Sequence, residues 1–163
     1  MGIRVAKAAV VACVAATFAM VIGSLVLGRG LDAGPGVPFH LYARDVVIQP
    51  VFVLTGAALA WLRPRNALGW LLMAMGTTNI GNVFLSVYGV RAYVEGGLPA
   101  GDLALALAAW LWFPLIFFLP TLLPLLYPTG HLPSPRWRVV VVAIAMGMVA
   151  ISVAAAFNRD ALD

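Results

Sequence analysis

The chain has 163 residues, 63% of them hydrophobic and only 10% charged, with a net charge of +4 and a mean hydropathy of +1.01. A soluble domain carries about 25% charged residues, so this composition excludes an ordinary soluble fold and points to an integral membrane protein with little room for a soluble domain. The lone cysteine, Cys13, excludes an intramolecular disulfide and a cysteine-rich metal site, and reads as a small lipid- or helix-facing residue.

Five apolar runs are expected to form an all-α integral membrane fold with five transmembrane helices, a cytoplasmic N-terminus and short loops. They are residues 8–27, 46–62, 68–90, 103–127 and 139–157, together a single transmembrane domain. A spanning helix needs about 20 apolar residues, within a range of about 17–25. The first run follows Arg4 and Lys7 and exceeds the usual signal-peptide core of about 7–15 residues, so it reads as an uncleaved anchor. It carries Ala15, Ala19 and Gly23 at four-residue spacing, which lets helix backbones approach closely. The second run is the shortest and holds Gln49 and Pro50 near its start. The third is the most polar: Thr78, Asn82 and Ser86 recur every four residues and share a face, which suits interhelical hydrogen bonds. The fourth contains Pro114, Pro120 and Pro124, each of which removes a backbone hydrogen bond and favours a kink. The fifth carries Ala143 and Gly147 as a second close-approach pair.

The loops repeat one grammar. Asp45, Asn66, Asp102 and Ser134 precede the second to fifth helices, and each side chain can accept a hydrogen bond from the first helical turn. Pro128-Thr129-Gly130 reads as a turn, and Pro135 suits the first helical position, where a missing N–H costs nothing. Trp61, Trp70 and Trp137 fit an interfacial aromatic belt. Arg4, Lys7, Arg63, Arg65, Arg136 and Arg138 fall on one side. Arg29, Arg44, Arg91 and Arg159 fall on the other, with all six acids: Asp32, Asp45, Glu95, Asp102, Asp160 and Asp163. Six cations against four make the first side cytoplasmic.

The chemistry-bearing residues are few. There is no phosphate-binding glycine loop followed by Lys, no HExxH and no GxSxG. His40 and His131 are expected on opposite faces and cannot share a metal. No charged residue lies within a predicted span, which argues against a pump or a proton-coupled transporter. No catalytic residue and no cofactor is expected, the lipid bilayer is the expected partner, and nothing in the pattern points to nucleic acid.

Two loop segments carry a resemblance. YPTGHLPSPRWR, residues 127–138, resembles the FPDGRLPSxRWR-type loop in the membrane input domains of actinobacterial sensor histidine kinases. RPRNALGWLL, residues 63–72, resembles their RNPIGWLL segment. Ala67 stands where that pattern has proline, Thr129 where it has aspartate, and His131 where it has arginine. The resemblance implies a sensory domain of a two-component system, a homodimer, and a cytoplasmic kinase region in a longer form. Kinase motifs are absent from these residues, and five spans starting inside finish outside, so the chain is expected to be truncated before the catalytic region. Signalling is then expected to pass through motion of the proline-bearing fourth helix towards Ser134, Pro135, Arg136, Trp137 and Arg138. The competing expectation is a stand-alone small membrane protein serving as an accessory subunit of a transporter or complex.

Overall fold

The computed structural model describes residues 2–31, 39–127, 132 and 134–157. Within helices, the side chains of residues 39–43, 45, 112–120, 148 and 151–157 lie outside that description. So do the predicted turn at Pro128-Thr129-Gly130, His131, the side chain of His40, most of the first outer loop and the tail from Asn158 to Asp163. The described residues hold five helices and no strand: α1 (Ile3–Leu27), α2 (Phe39–Leu62), α3 (Ala67–Glu95), α4 (Gly101–Leu126) and α5 (Trp137–Phe157).

The helices outrun the apolar runs at most ends, because a charged side chain ends an apolar run without ending a backbone hydrogen-bond ladder. α1 takes in Arg4 and Lys7, and α2 starts at Phe39 rather than Val46. Asp45 therefore lies inside α2 and does not cap it. Pro50 sits within the helix rather than near its start. α3 runs on past Val90 to Glu95 and at 29 residues spans about 43 Å. α5 opens at Trp137 rather than Val139. Two of the five, α1 and α3, are long and apolar enough to cross a membrane, while the other apolar stretches among the described residues are shorter: Val46–Leu62, Gly101–Leu111 and Trp137–Gly147. Of the five expected spans all are helical, and among the described residues two helices meet both the length and the hydropathy requirement.

The helix ends follow individual rules. The side chain of Asn66 accepts from the Leu68 amide at 2.9 Å and caps α3 as expected, while Gly96 closes its other end in the left-handed region at φ 68°, where glycine pays no Cβ penalty. The α4 cap is Ala100, also left-handed at φ 58°, and Asp102 sits one step inside the first turn rather than at the cap. There its charge complements the positive end of the helix dipole. α5 opens through three short-range bonds, Trp137 to Ser134, Arg138 to Pro135 and Val139 to Arg136. The group that Ser134 contributes to this turn is its backbone carbonyl.

Successive helices run antiparallel. The Lys7 ammonium lies 4.7 Å from the Trp61 ring centroid, joining the start of α1 to the end of α2. Arg91 reaches the end of α1 from the end of α3. α3 is central and packs on α1, α2 and α4, whereas the main neighbour of α5 is α4. The tightest contact is between α2 and α3. A Cβ added at Gly56 would stand 2.5 Å from the Met73 amide nitrogen and 2.6 Å from the Gly69 carbonyl oxygen, and one at Gly69 would stand 2.6 Å from the Ala60 nitrogen. The stripe expected on α1 plays a smaller part. Ala15 and Ala19 are exposed, Gly23 alone meets a neighbour, Phe84, and Gly147 of α5 has nothing within 4 Å.

The exterior of the bundle is apolar as well as its core, and a few hydroxyl side chains lie inside. Thr17 and Ser24 are 0% exposed, while Leu62 is 77% and Val139 73% exposed.

Candidate functional site

The polar residues gather on and around α3, on the inside of the bundle. Thr77 faces α1: its hydroxyl lies 2.9 Å from the Thr17 hydroxyl and 3.1 Å from Cys13 Sγ. Thr17 also bonds back to the Cys13 carbonyl at 2.9 Å. One turn or two further along α1, Ser24 donates to the Met20 carbonyl at 2.8 Å. Such back-bonding satisfies a buried hydroxyl within its own helix. Cys13 is thus helix-facing, one of the two readings open in the sequence. On α2, Gln49 is buried one turn from Val53, and its side-chain Oε1 has no hydrogen-bond partner. Val53, Ala57 and Ala60 of α2 form a buried apolar cluster with Val10 and Met73, so an acceptor lacking a donor sits beside an apolar core.

The predicted stripe Thr78, Asn82 and Ser86 divides. Thr78 donates to the Ala74 carbonyl of its own helix at 2.8 Å. Asn82 crosses to α4 and donates to the Ala108 carbonyl. Ser86 is half-buried. The sequence places Thr77 one residue off the four-residue stripe, yet Thr77 is the hydroxyl that reaches α1. α4 continues as one helix through Pro114, Pro120 and Pro124; the side chains of Pro114 and Pro120 lie outside the description, and Pro124 is exposed. Pro114 frees the carbonyl four residues before it, that of Trp110. The carbonyl that Asn82 takes is a different one.

The two ends of the bundle differ in charge. At the end where α1 and α3 finish, Arg91 donates to the Leu27 and Arg29 carbonyls at 3.2 and 2.7 Å and pairs with Glu95 at 2.6 Å. The guanidinium fills unpaired carbonyls and opposes the negative end of the α1 dipole. Arg91→Ala is expected to lower stability by about 1 kcal/mol, the worth of a partly exposed charged hydrogen bond. Thermal unfolding in detergent checks it; an unchanged midpoint would show that water serves those carbonyls equally well. Tyr88 adds a staple to this end by donating to the Pro99 carbonyl at 2.9 Å.

The opposite end gathers cations. Arg4, Arg63, Arg65, Arg136 and Arg138 are exposed there, and Lys7 lies over Trp61. Trp70 donates its indole N–H to the Pro64 carbonyl at 2.9 Å, which ties the α2–α3 loop to α3. Trp137 is 42% exposed beside its flanking arginines, and Pro135 is exposed as well. A groove of about 500 Å³ opens at this end between α3, α4 and α5, lined by Arg65, Trp70, Leu71, Leu122, Leu126 and Val141 among others. A second groove, of about 470 Å³, runs between α1 and α2 from Val10 to Trp61.

Among the described residues no three His, Cys, Asp or Glu side chains come together as a metal site. The hydroxyl–thiol cluster of Cys13, Thr17 and Thr77 bonds within itself and to backbone, and what it does is hold α1 against α3. No family model matches the chain, and neither the curated proteins nor the solved structures contain a match to it.

Proposed function

We propose that this chain is a multi-pass membrane domain with five spans and a cytoplasmic N-terminus, and that it serves as a sensory input domain of the two-component kind. It carries no catalysis of its own. Its output goes to a kinase region borne by a longer form, and it works as a homodimer. The membrane part of the reading is supported above all by the apolar exterior of the bundle: bulky aliphatic side chains on α1, α2 and α5 face outward, while Thr17 and Ser24 are fully buried. Extended apolar surface of this kind marks contact with lipid or with other protein. The orientation is supported by the six cations that share one end of the sequence pattern. The sensory part rests on the residues of two loops, 63–72 and 127–138. The open face of α5, where Val139, Val142, Met146 and Val149 are exposed, fits a further helix of the longer form.

Topology is tested by cysteine labelling in a Cys13→Ser background. Arg4→Cys, Arg65→Cys and Arg136→Cys are all expected to be shielded from a membrane-impermeant maleimide in intact cells and to react after lysis. Labelling of Arg65→Cys from outside overturns the orientation. The sensory reading is tested by the downstream DNA, expected to encode a sixth span, a phosphoacceptor histidine box and ATP-binding motifs. Downstream DNA without kinase motifs in any frame overturns it.

A further inference from the structure

We propose that the groove between α3, α4 and α5 is a binding site for an anionic phospholipid. One acyl chain lies along Leu71, Leu122, Leu126 and Val141, and the phosphate meets Arg65 and Arg138. The proposal rests on the membrane reading above and adds a specific ligand to it.

Four observations carry the assignment. The groove measures about 500 Å³, within the range of about 300–1,000 Å³ typical of small-molecule sites. Its walls are aliphatic apart from Arg65 and Trp70, and the Trp70 indole N–H is already given to Pro64. Beyond Arg65 at its mouth, a peptide backbone laid in it would find no free hydrogen-bonding side chain on those walls, whereas a hydrocarbon chain needs none. The charge sits at the mouth. Arg65 lines the groove, and Arg138 lies three residues before Val141 on the same face of α5. Among the described residues no carboxylate pairs with Arg65, Arg136 or Arg138, so the mouth carries uncompensated positive charge suited to a phosphate. The α1–α2 groove differs on this point, because the cation at its end, Lys7, is already seated on Trp61.

A zwitterionic lipid would fill the same walls without using the arginines. Charge therefore decides the test. Each arginine near an anionic lipid surface is worth about fivefold in binding, so losing both is expected to reduce it roughly 25-fold.

The experiment is native mass spectrometry of the full chain released from detergent, with dioleoylphosphatidylglycerol or dioleoylphosphatidylcholine as the added lipid. The wild-type chain is expected to retain the glycerol lipid at least about fivefold better than the choline lipid. Arg65→Gln with Arg138→Gln is expected to abolish the preference while leaving the helical circular dichroism unchanged. Ala67→Trp, which fills the groove from the start of α3, is expected to lower retention of both lipids. Inorganic phosphate is expected not to compete. Equal retention of the two lipids, an unchanged preference in the double variant, or displacement by free phosphate each overturns the proposal. So does a second copy of the chain occupying the groove, read as a dimer that Ala67→Trp dissociates without any loss of lipid. Alkaline extraction of cell membranes separates the two levels. A chain that is extracted removes the membrane reading itself. A chain that resists extraction yet shows no lipid preference removes the lipid site alone.

Discussion

Gly56→Leu is expected to separate α2 from α3 and to produce the largest loss of stability of any single substitution considered. The reason is the identity of the obstructing atoms. The first carbon of the new side chain would stand 2.5 Å from the Met73 amide nitrogen and 2.6 Å from the Gly69 carbonyl oxygen. Both are backbone atoms of α3, Gly69 in its first turn and Met73 about one turn further on, and cannot rotate away as a side-chain tip can. Relief requires the helices to move apart, which undoes the adjoining contacts at Gly69, Ala60 and Gly76. Overpacking a close interface costs about 1–3 kcal/mol and occasionally more, and a backbone obstruction belongs at the upper end. Thermal or SDS-driven unfolding in detergent reads the effect. Gly147→Leu is the control, since nothing lies within 4 Å of that position, and its midpoint should stay near wild type. Equal stability of the two variants would refute the α2–α3 contact.

The second large effect has the opposite sign. Gln49→Leu is expected to stabilise the protein by about 1–3 kcal/mol, the range associated with a buried polar group left without a partner. Gln49 is only 9% exposed, and its Oε1 meets no donor. Leucine is one bond shorter and has no polar atoms, and its neighbours along the stripe are Val53 and Ala57, both buried. The same unfolding series gives the answer. A lower midpoint in Gln49→Leu would mean that a donor, such as a buried water, holds the amide oxygen. Gln49→Glu sharpens the comparison, because an ionised carboxylate at that depth would be far harder to bury.

The sequence makes some of this legible and hides the rest for identifiable reasons. The helices themselves are readable because hydropathy is averaged over about 20 residues, and a run of that length has few alternatives. Their ends are not, since Arg44, Asp45 and Arg91 interrupt an apolar run while the helix continues through them. Asn66 is readable as a cap because the α2–α3 connection is so short that only one polar residue adjoins the helix. Asp45 obeys the same rule on paper and lies inside α2. Partnerships between helices are the hardest to read. A helix apolar on every side carries no amphipathic stripe to reveal which face looks inward. On α3 the four-residue spacing favours Thr78 over Thr77, yet rotation about the helix axis sends Thr77 to α1 and Thr78 back to Ala74. Gly56, Gly69 and Gly76 do not stand out in the sequence, because alanine- and glycine-rich runs offer many close-approach pairs and only the assembled bundle selects among them.

The clamp at the end of α1 sets an order of events during synthesis. Arg91 is made 64 residues after Leu27, whose carbonyl it takes. At about 5–20 residues per second, that interval is roughly 3–13 s. Until then the Leu27 carbonyl must be served by water, so the end of α1 cannot withdraw fully from an aqueous boundary before α3 is nearly complete. The nascent chain thus holds its first helix in waiting, and the arginine that releases it arrives with the helix against which α1 finally packs.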